Sequence, residues 1–262
     1  MTDRPGTFPK YYLIDAFRGF ALLNMLFFHF FYDVFIIFRQ DPGWYDYPWV
    51  HVWQQFICMS FLFISGISWH FSRNNLKRGL LLNVYGLVIT AVTLVFMPSQ
   101  AVLFGILNCI GCLTLLMIPL DRLIKRLKCP NSALTAVIGM TIALLLFLLT
   151  RGVNDGYIGI GAWWEPLPDW LYTFPPMTIL GFPYPGFTSS DYFSILPWFF
   201  LFLAGYWFWE LTGHWESLRK IFHVRIPFFS DLGRKTIWIY ILHQPLLYGA
   251  SYLLIRILGV TF

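Results

Sequence analysis

Leu13-Ile14-Asp15-Ala16-Phe17-Arg18-Gly19-Phe20-Ala21, continuing through His29 and Asp33 to Phe38, is apolar enough to cross a membrane and yet carries a charged stripe. At 100° per residue, Arg18 and His29 lie eleven positions and about 20° apart, so one helix face holds both. Asp33 follows His29 at i+4 on that face. An ionisable group at mid-bilayer costs roughly 2.5 to 3.5 kcal/mol on the mildest scale. A stripe turned to lipid would carry that cost several times over. It is therefore expected to face a protein-lined or wet cavity and to mark a working site.

The rest of the chain sets the solvent. Of 262 residues, 58% are hydrophobic and 12% charged, and mean hydropathy is +0.63, well beyond an ordinary soluble domain. The fold class that follows is all-α, a polytopic integral membrane helical bundle. The first apolar segment is longer than a secretory h-region and has no small-residue cleavage site after it, so it reads as a retained helix. Seven segments approach or exceed the length that spans about 30 Å of hydrocarbon. They cover roughly 13–38, 51–72, 79–97, 101–120, 132–150, 193–212 and 236–258. Residues 1–262 read as one transmembrane domain, with no internal repeat, no low-complexity tract and no soluble domain left over.

Lys and Arg decide the orientation. Taking alternate connections, fifteen of the 18 fall on one side: Arg4, Lys10 and Arg18; Arg73, Lys77 and Arg78; Arg122, Lys125, Arg126 and Lys128; Arg219, Lys220, Arg225, Arg234 and Lys235. Only Arg39, Arg151 and Arg256 fall on the other. The positive-inside rule then predicts a cytoplasmic N-terminus and an external C-terminus, in a multi-pass protein of the plasma (inner) membrane. This pattern accounts for the net charge of +5 without nucleic acid as a partner.

One connection is no simple loop. Residues 152–192 are rich in Pro, Gly and aromatics, as in Trp163-Trp164-Glu165-Pro166 and Gly181-Phe182-Pro183-Tyr184-Pro185-Gly186. The stretch is too apolar for a solvated linker and too broken for a spanning helix. It is expected to form an external lid, with a short re-entrant piece as an option, or simply an interfacial belt of Trp and Tyr. Asp155, Glu165, Asp169 and Asp191 make that side acidic.

Cysteine says little. Cys109-x-x-Cys112 lies inside the fourth predicted helix with no second pair and no neighbouring His, so no metal site is assigned. Cys58 falls mid-membrane and Cys129 on the cytoplasmic side, which implies no disulfide framework.

Histidine is more informative. His29 stands sixteen residues into its helix, about 24 Å at 1.5 Å per residue, in the outer third of the bilayer. A carboxylate one turn away, Asp33, can accept the imidazole N–H, fix the tautomer and raise its basicity, as a general base requires. The plainer reading is a pair of packing hydrogen bonds between helices. His51, at the start of the second helix, and Asn108, in the fourth, could converge on His29. His243 precedes Gln244-Pro245, where the proline frees a carbonyl and bends the helix. For His243, helix packing and chemistry remain alternatives. His70, His214 and His223 sit at cytoplasmic ends and are expected to be solvated.

Asp15-x-x-Arg18-Gly19-x-Ala21 with His29 eleven residues after the arginine resembles the opening motif of the transmembrane acyltransferase superfamily. That superfamily includes the acyltransferase-3 proteins and the heparan-alpha-glucosaminide N-acetyltransferase catalytic-domain family. Phe61-Leu62-Phe63-Ile64-Ser65-Gly66-Ile67-Ser68, Phe104-Gly105-Ile106-Leu107-Asn108-Cys109-Ile110-Gly111, Asp191-Tyr192-Phe193 with Pro197-Trp198, and Ile239-Tyr240-Ile241-Leu242-His243-Gln244-Pro245 are similar, in order, to bacterial members of the second family.

The resemblance implies acyl transfer from cytoplasmic acetyl-CoA, or another acyl-CoA, to an amine or hydroxyl of a sugar or glycan on the far side. The eukaryotic heparan enzyme carries Asn where this chain has His29 and places its active-site histidine in the loop after helix one, where His51 is the nearest candidate. The catalytic role is therefore shared between His29 and His51, with Asp33 in support. Arg18 and His29 are separated by about 16 Å along one face, a gap an extended pantetheine arm spans. Arg73, Lys77 and Arg78 would hold the nucleotide phosphates by charge-assisted hydrogen bonds, unless they are ordinary positive-inside charge. Asn108 and His243 complete the donor-binding set.

The expected partners are the acyl-CoA, the acceptor and the bilayer, with a homodimer left open. N- or O-acylation, and direct transfer or an acyl-histidine, stay open too. The competing class is a small-solute transporter or flippase using His29 and Asp33 as a proton relay. The absence of a repeated half argues against the usual transporter plan, and a purely structural subunit leaves the aligned charges unexplained.

Overall fold

The computed structural model describes residues 11–127 and 132–258. Arg4, Lys10, Lys128 and Cys129 lie outside the described residues. The helices are α1 (Tyr12–Tyr32), α2 (Pro48–Ser68), α3 (Asn75–Phe96), α4 (Ile106–Arg126), α5 (Ala133–Leu149), α6 (Trp198–Thr212), α7 (Glu216–Ile221), α8 (Pro227–Arg234) and α9 (Thr236–Ile257). Their starts follow from local chemistry. Asn74 caps α3 by accepting from Lys77 N–H at 2.8 Å, and Ser132 caps α5 by accepting from Thr135 N–H at 3.2 Å.

Among the described residues, five spans are long and apolar enough to cross a membrane: Tyr12–Ile37, Pro48–Phe71, Asn75–Phe96, Ile106–Arg126 and Ala133–Asp155. The chain is thus a polytopic helical membrane protein. Exposed Leu80, Val84, Leu87 and Val88 on α3, and Ile138, Ile142 and Leu145 on α5, would be unfavourable in water and match hydrocarbon.

The sixth and seventh predicted segments differ from the other five. α6 has 15 residues, about 22 Å. The chain just before it is not helical, because Ile195 and Leu196 donate their N–H groups to Ile179 and Leu180, and Pro197 has none to give. α9 has 22 residues, but His243, Gln244 and Arg256 lower its hydropathy.

The described chain divides into two compact units, Met1–Ile64 with Ser217–Phe262, and Ser65–Glu216. In the first, α1 is held by the segment that precedes α9. Leu13 N–H donates to Phe222 O and Ser230 Oγ to Tyr12 O, both at 3.0 Å. Gly19 of α1 and Gly233 of α8 let the two backbones touch, and a Cβ on Gly19 would lie 2.0 Å from Phe229 O. Trp53 Nε1–H donates to Asn24 Oδ1 at 3.0 Å, tying α2 to α1. Beyond His29 the helix widens into a π turn, Asp33–Ile37, in which Phe38 N–H reaches Asp33 O at 2.9 Å.

In the second unit, α3 and α4 meet along a seam of small residues and amides. Gly79 packs on Gly111, Asn83 Nδ2–H donates to Gly79 O, and the Asn108 amide fills the space beside Gly86. Cys109 and Cys112 are free thiols that donate to Ser194 O and Asn83 Oδ1. His70 was expected to be solvated and is instead sequestered, stacked on Tyr206 at 4.4 Å with Nδ1 3.3 Å from Glu210. The aromatic face and the carboxylate together hold the ring away from water. His214 and His223 are exposed, as expected.

The stretch after α5 is ordered. Strands β1 (Tyr157–Ile160) and β2 (Trp163–Pro166) pair antiparallel, with Ile160 opposite Trp163. Two 3-10 segments follow, Asp169–Tyr172 and Pro175–Leu180, and the described residues there include no α-helix. Tyr172 O–H donates to Val153 O at 2.6 Å, Leu103 N–H to Ser189 Oγ at 2.8 Å and Ser190 Oγ to Gln100 O at 2.9 Å. The last two of these bonds fasten the segment to the chain ahead of α4.

Candidate functional site

The charged stripe of α1 meets α9 inside the first unit. Asp33 opens the π turn and is completely buried. α9 presents His243 and Gln244 to it, just before Pro245. Gln244 Nε2–H donates to Asp33 Oδ1 at 3.0 Å. The His243 and His29 rings lie 4.8 Å apart, tilted by 63°. His243 Nδ1 hydrogen-bonds to Tyr240 O. A neutral ring that donates through Nδ1 presents Nε2 as a lone pair.

Several polar atoms of this cluster have no partner. Asp33 Oδ2, His243 Nε2 and Gln244 Oε1 are buried without a hydrogen bond among the described residues, as is Ser251 Oγ further along α9. A buried polar atom left unpaired costs about 1–3 kcal/mol. Those on Asp33, His243 and Gln244 belong to residues where α9 meets the end of α1.

The expected bond from His29 to Asp33 is not the one formed. Asp33 turns to the Gln244 amide, and the His29 side chain makes no hydrogen bond among the described residues, its ring lying against His243. Both side chains face α9, and α9 offers an amide donor aimed at the carboxylate.

The remaining predicted residues are distributed as follows. Arg18 pairs with Asp15 at 2.7 Å and is partly buried. His51 is exposed on the first turn of α2. Arg73, Lys77 and Arg78 belong to the second unit; Arg73 and Lys77 are exposed, and half-buried Arg78 donates to Ser68 O at 2.9 Å. Asn108, also in the second unit, is buried and donates to Asn83 O at 3.2 Å, a bond that joins α4 to α3. The structure thus brings His29, Asp33 and His243 together. It adds Gln244, which sequence reasoning passed over. The available signal was a glutamine beside a histidine in the middle of an otherwise apolar helix. Among the described residues, no three His, Cys, Asp or Glu side chains gather as a metal ion would require.

No curated protein and no solved structure matches the chain. The family model for the catalytic domain of heparan-alpha-glucosaminide N-acetyltransferase matches residues 10–245, from just before α1 to the proline after Gln244. Members of that family are membrane acetyltransferases that use acetyl-CoA. Because the match takes in nearly the whole chain, including His29, Asp33, His243 and Gln244, the chain belongs to the heparan-alpha-glucosaminide N-acetyltransferase catalytic-domain family.

Proposed function

We propose that this protein transfers an acetyl or other acyl group from cytoplasmic acyl-CoA to an amine or hydroxyl of a sugar or glycan acceptor on the external side of the membrane. The observation that carries the reading is the buried, unsatisfied cluster of Asp33, His243 and Gln244 beside His29, within the stretch that matches an acetyltransferase family. In chemical terms, the acceptor nitrogen or oxygen attacks the thioester carbon and forms the new acyl bond. The C–S bond breaks, CoA leaves as thiolate, and an imidazole takes the acceptor's proton. His29 is the favoured base, with His51 as the alternative. Asp33 holds the polar environment that a charged imidazole needs. Arg18, Arg73, Lys77 and Arg78 are the candidate phosphate-binding cations, with Asn108 and His243 as further donor-binding candidates. The topology that serves this reaction has seven crossings, with α6 and α9 as the two not marked by hydropathy, a cytoplasmic N-terminus, and residues 152–192 as an external lid.

Purified full-length protein incubated with radiolabelled acetyl-CoA and a panel of amino sugars and glycolipids tests this. Label is expected on an acceptor, and Arg18→Gln is expected to weaken CoA binding, measured by calorimetry in detergent, far more than acceptor binding. If the wild type transfers no label and binds no CoA at millimolar ligand, the reading fails. The proton-relay transporter then takes its place.

A further inference from the structure

Asp33 and Gln244 form an asymmetric pair. Gln244 Nε2–H donates to Asp33 Oδ1 at 3.0 Å, so the amide presents its NH2 to Asp33. That choice fixes the direction of the carbonyl, and Gln244 Oε1 is left buried and unmatched. A glutamine serving only to tie α9 to the end of α1 would have both ends of its amide satisfied, because an unmatched buried oxygen costs about as much as one hydrogen bond returns. Two more acceptors are in the same condition, Oδ2 of the Asp33 it bonds to and Nε2 of its chain neighbour His243. The His243 nitrogen is held as an acceptor by the bond its other nitrogen makes to Tyr240 O.

From this arrangement we propose that Gln244 is an acceptor-positioning residue: it clamps Asp33 through Nε2–H, and its Oε1, with Asp33 Oδ2 and His243 Nε2, forms a cradle of three hydrogen-bond acceptors for the N–H or O–H groups of the acceptor substrate. The proposal rests on the transferase reading above and assigns to that site a residue with no proton chemistry of its own. Holding the donor hydrogens of an amine or hydroxyl on fixed acceptors turns its lone pair toward the thioester carbon, an orientational contribution to rate. The amide oxygen is too weak a base to remove the proton, so Gln244 orients and the imidazole abstracts.

The test is steady-state kinetics on the full-length protein in detergent, with labelled acetyl-CoA and the best acceptor from a panel of glucosamine and amino and hydroxyl glycolipids. Gln244→Met keeps the length of the side chain and removes both polar ends. It is expected to raise the KM for acceptor roughly ten-fold, the value of one hydrogen bond. The KM for acetyl-CoA should stay near wild type, while the thermal midpoint falls because buried Asp33 loses its donor. Gln244→Asn restores the amide one methylene short and is expected to recover part of the acceptor affinity, a rescue that a packing role would not produce. If Gln244→Met keeps the wild-type acceptor KM, or if both KM values rise together, Gln244 is a packing residue and the proposal is overturned. Failure of the wild type to transfer acetyl to any member of the panel would be a different result, removing the transferase reading and the proposal with it.

Discussion

Gly19 of α1 and Gly233 of α8 face each other with no side chain between them: a Cβ on Gly19 would stand 2.9 Å from Gly233 N, and one on Gly233 would stand 3.0 Å from Gly19 N. Each would also overlap a carbonyl, Phe229 O at 2.0 Å and Asp15 O at 1.8 Å. Backbone atoms cannot swing aside as a side-chain tip can. Gly19 in the Arg18-Gly19 motif is therefore explained by packing, since it admits the helix that anchors the start of α1.

Gly19→Ala and Gly233→Ala should each destabilise the protein by about 2–3 kcal/mol, the upper range for forced overpacking. Gly249, in α9, has open space around its position, so Gly249→Ala should be neutral or slightly stabilising. Thermal unfolding of the purified protein separates the three. Equal midpoints for Gly19→Ala and Gly249→Ala would refute the close approach.

The base can be assigned by substitution. His29→Ala should lose roughly 10²-fold or more of transfer, the usual scale for general base catalysis. Asp33→Asn should lose a substantial part while the protein stays folded. If His29→Ala is fully active and His51→Ala is not, the base lies on the first turn of α2. Activity surviving both changes would exclude both histidines.

Topology is open to chemical labelling. Cysteines introduced at Asp46 and at Trp164, which is exposed on β2, should react with an impermeant maleimide from outside intact cells. Native Cys129 should react only after permeabilisation. Labelling of the Trp164 site only in permeabilised cells would invert the proposed orientation of the lid.

The attachment of residues 152–192 to the start of α4 should be pH-sensitive through Asp191. Its carboxylate accepts from Ile106 N–H at 3.4 Å at the start of α4. Burial pushes its pKa up to about 6, and the Ile106 N–H offsets part of that rise. Since the folded value exceeds the ordinary 3.8, the folded state favours the protonated form. The contribution to stability is full below about pH 4, is lost as pH rises to about 6, and stays lost above. Asp191→Asn should therefore melt higher than wild type at pH 8 and at nearly the same temperature at pH 4. A difference independent of pH would show that the carboxyl does not titrate in this window.

Hydropathy and length, both local properties, were enough to place five of the spanning helices within a few residues, and the 100° repeat alone put Arg18, His29 and Asp33 on one face. The ordered motifs from Asp15 to Pro245 were enough for the family. Sequence could not choose the partner of Asp33. His29 is the near neighbour along the chain, yet the carboxylate bonds to Gln244, 211 positions away, because only the packing of α9 on α1 brings an amide donor within reach. Asn108 shows the same limit, since an asparagine in an apolar helix signals a hydrogen bond across helices without naming its recipient, which proved to be Asn83 of α3. The short hairpin of β1 and β2 and the late start of α6 likewise escaped a reading based on helix length, the second because the Ile195 and Leu196 N–H groups find acceptors in Ile179 and Leu180. Burial in a membrane dictates which stretches must be helical, whereas the direction of each polar side chain is decided by the donors and acceptors that the folded chain sets beside it.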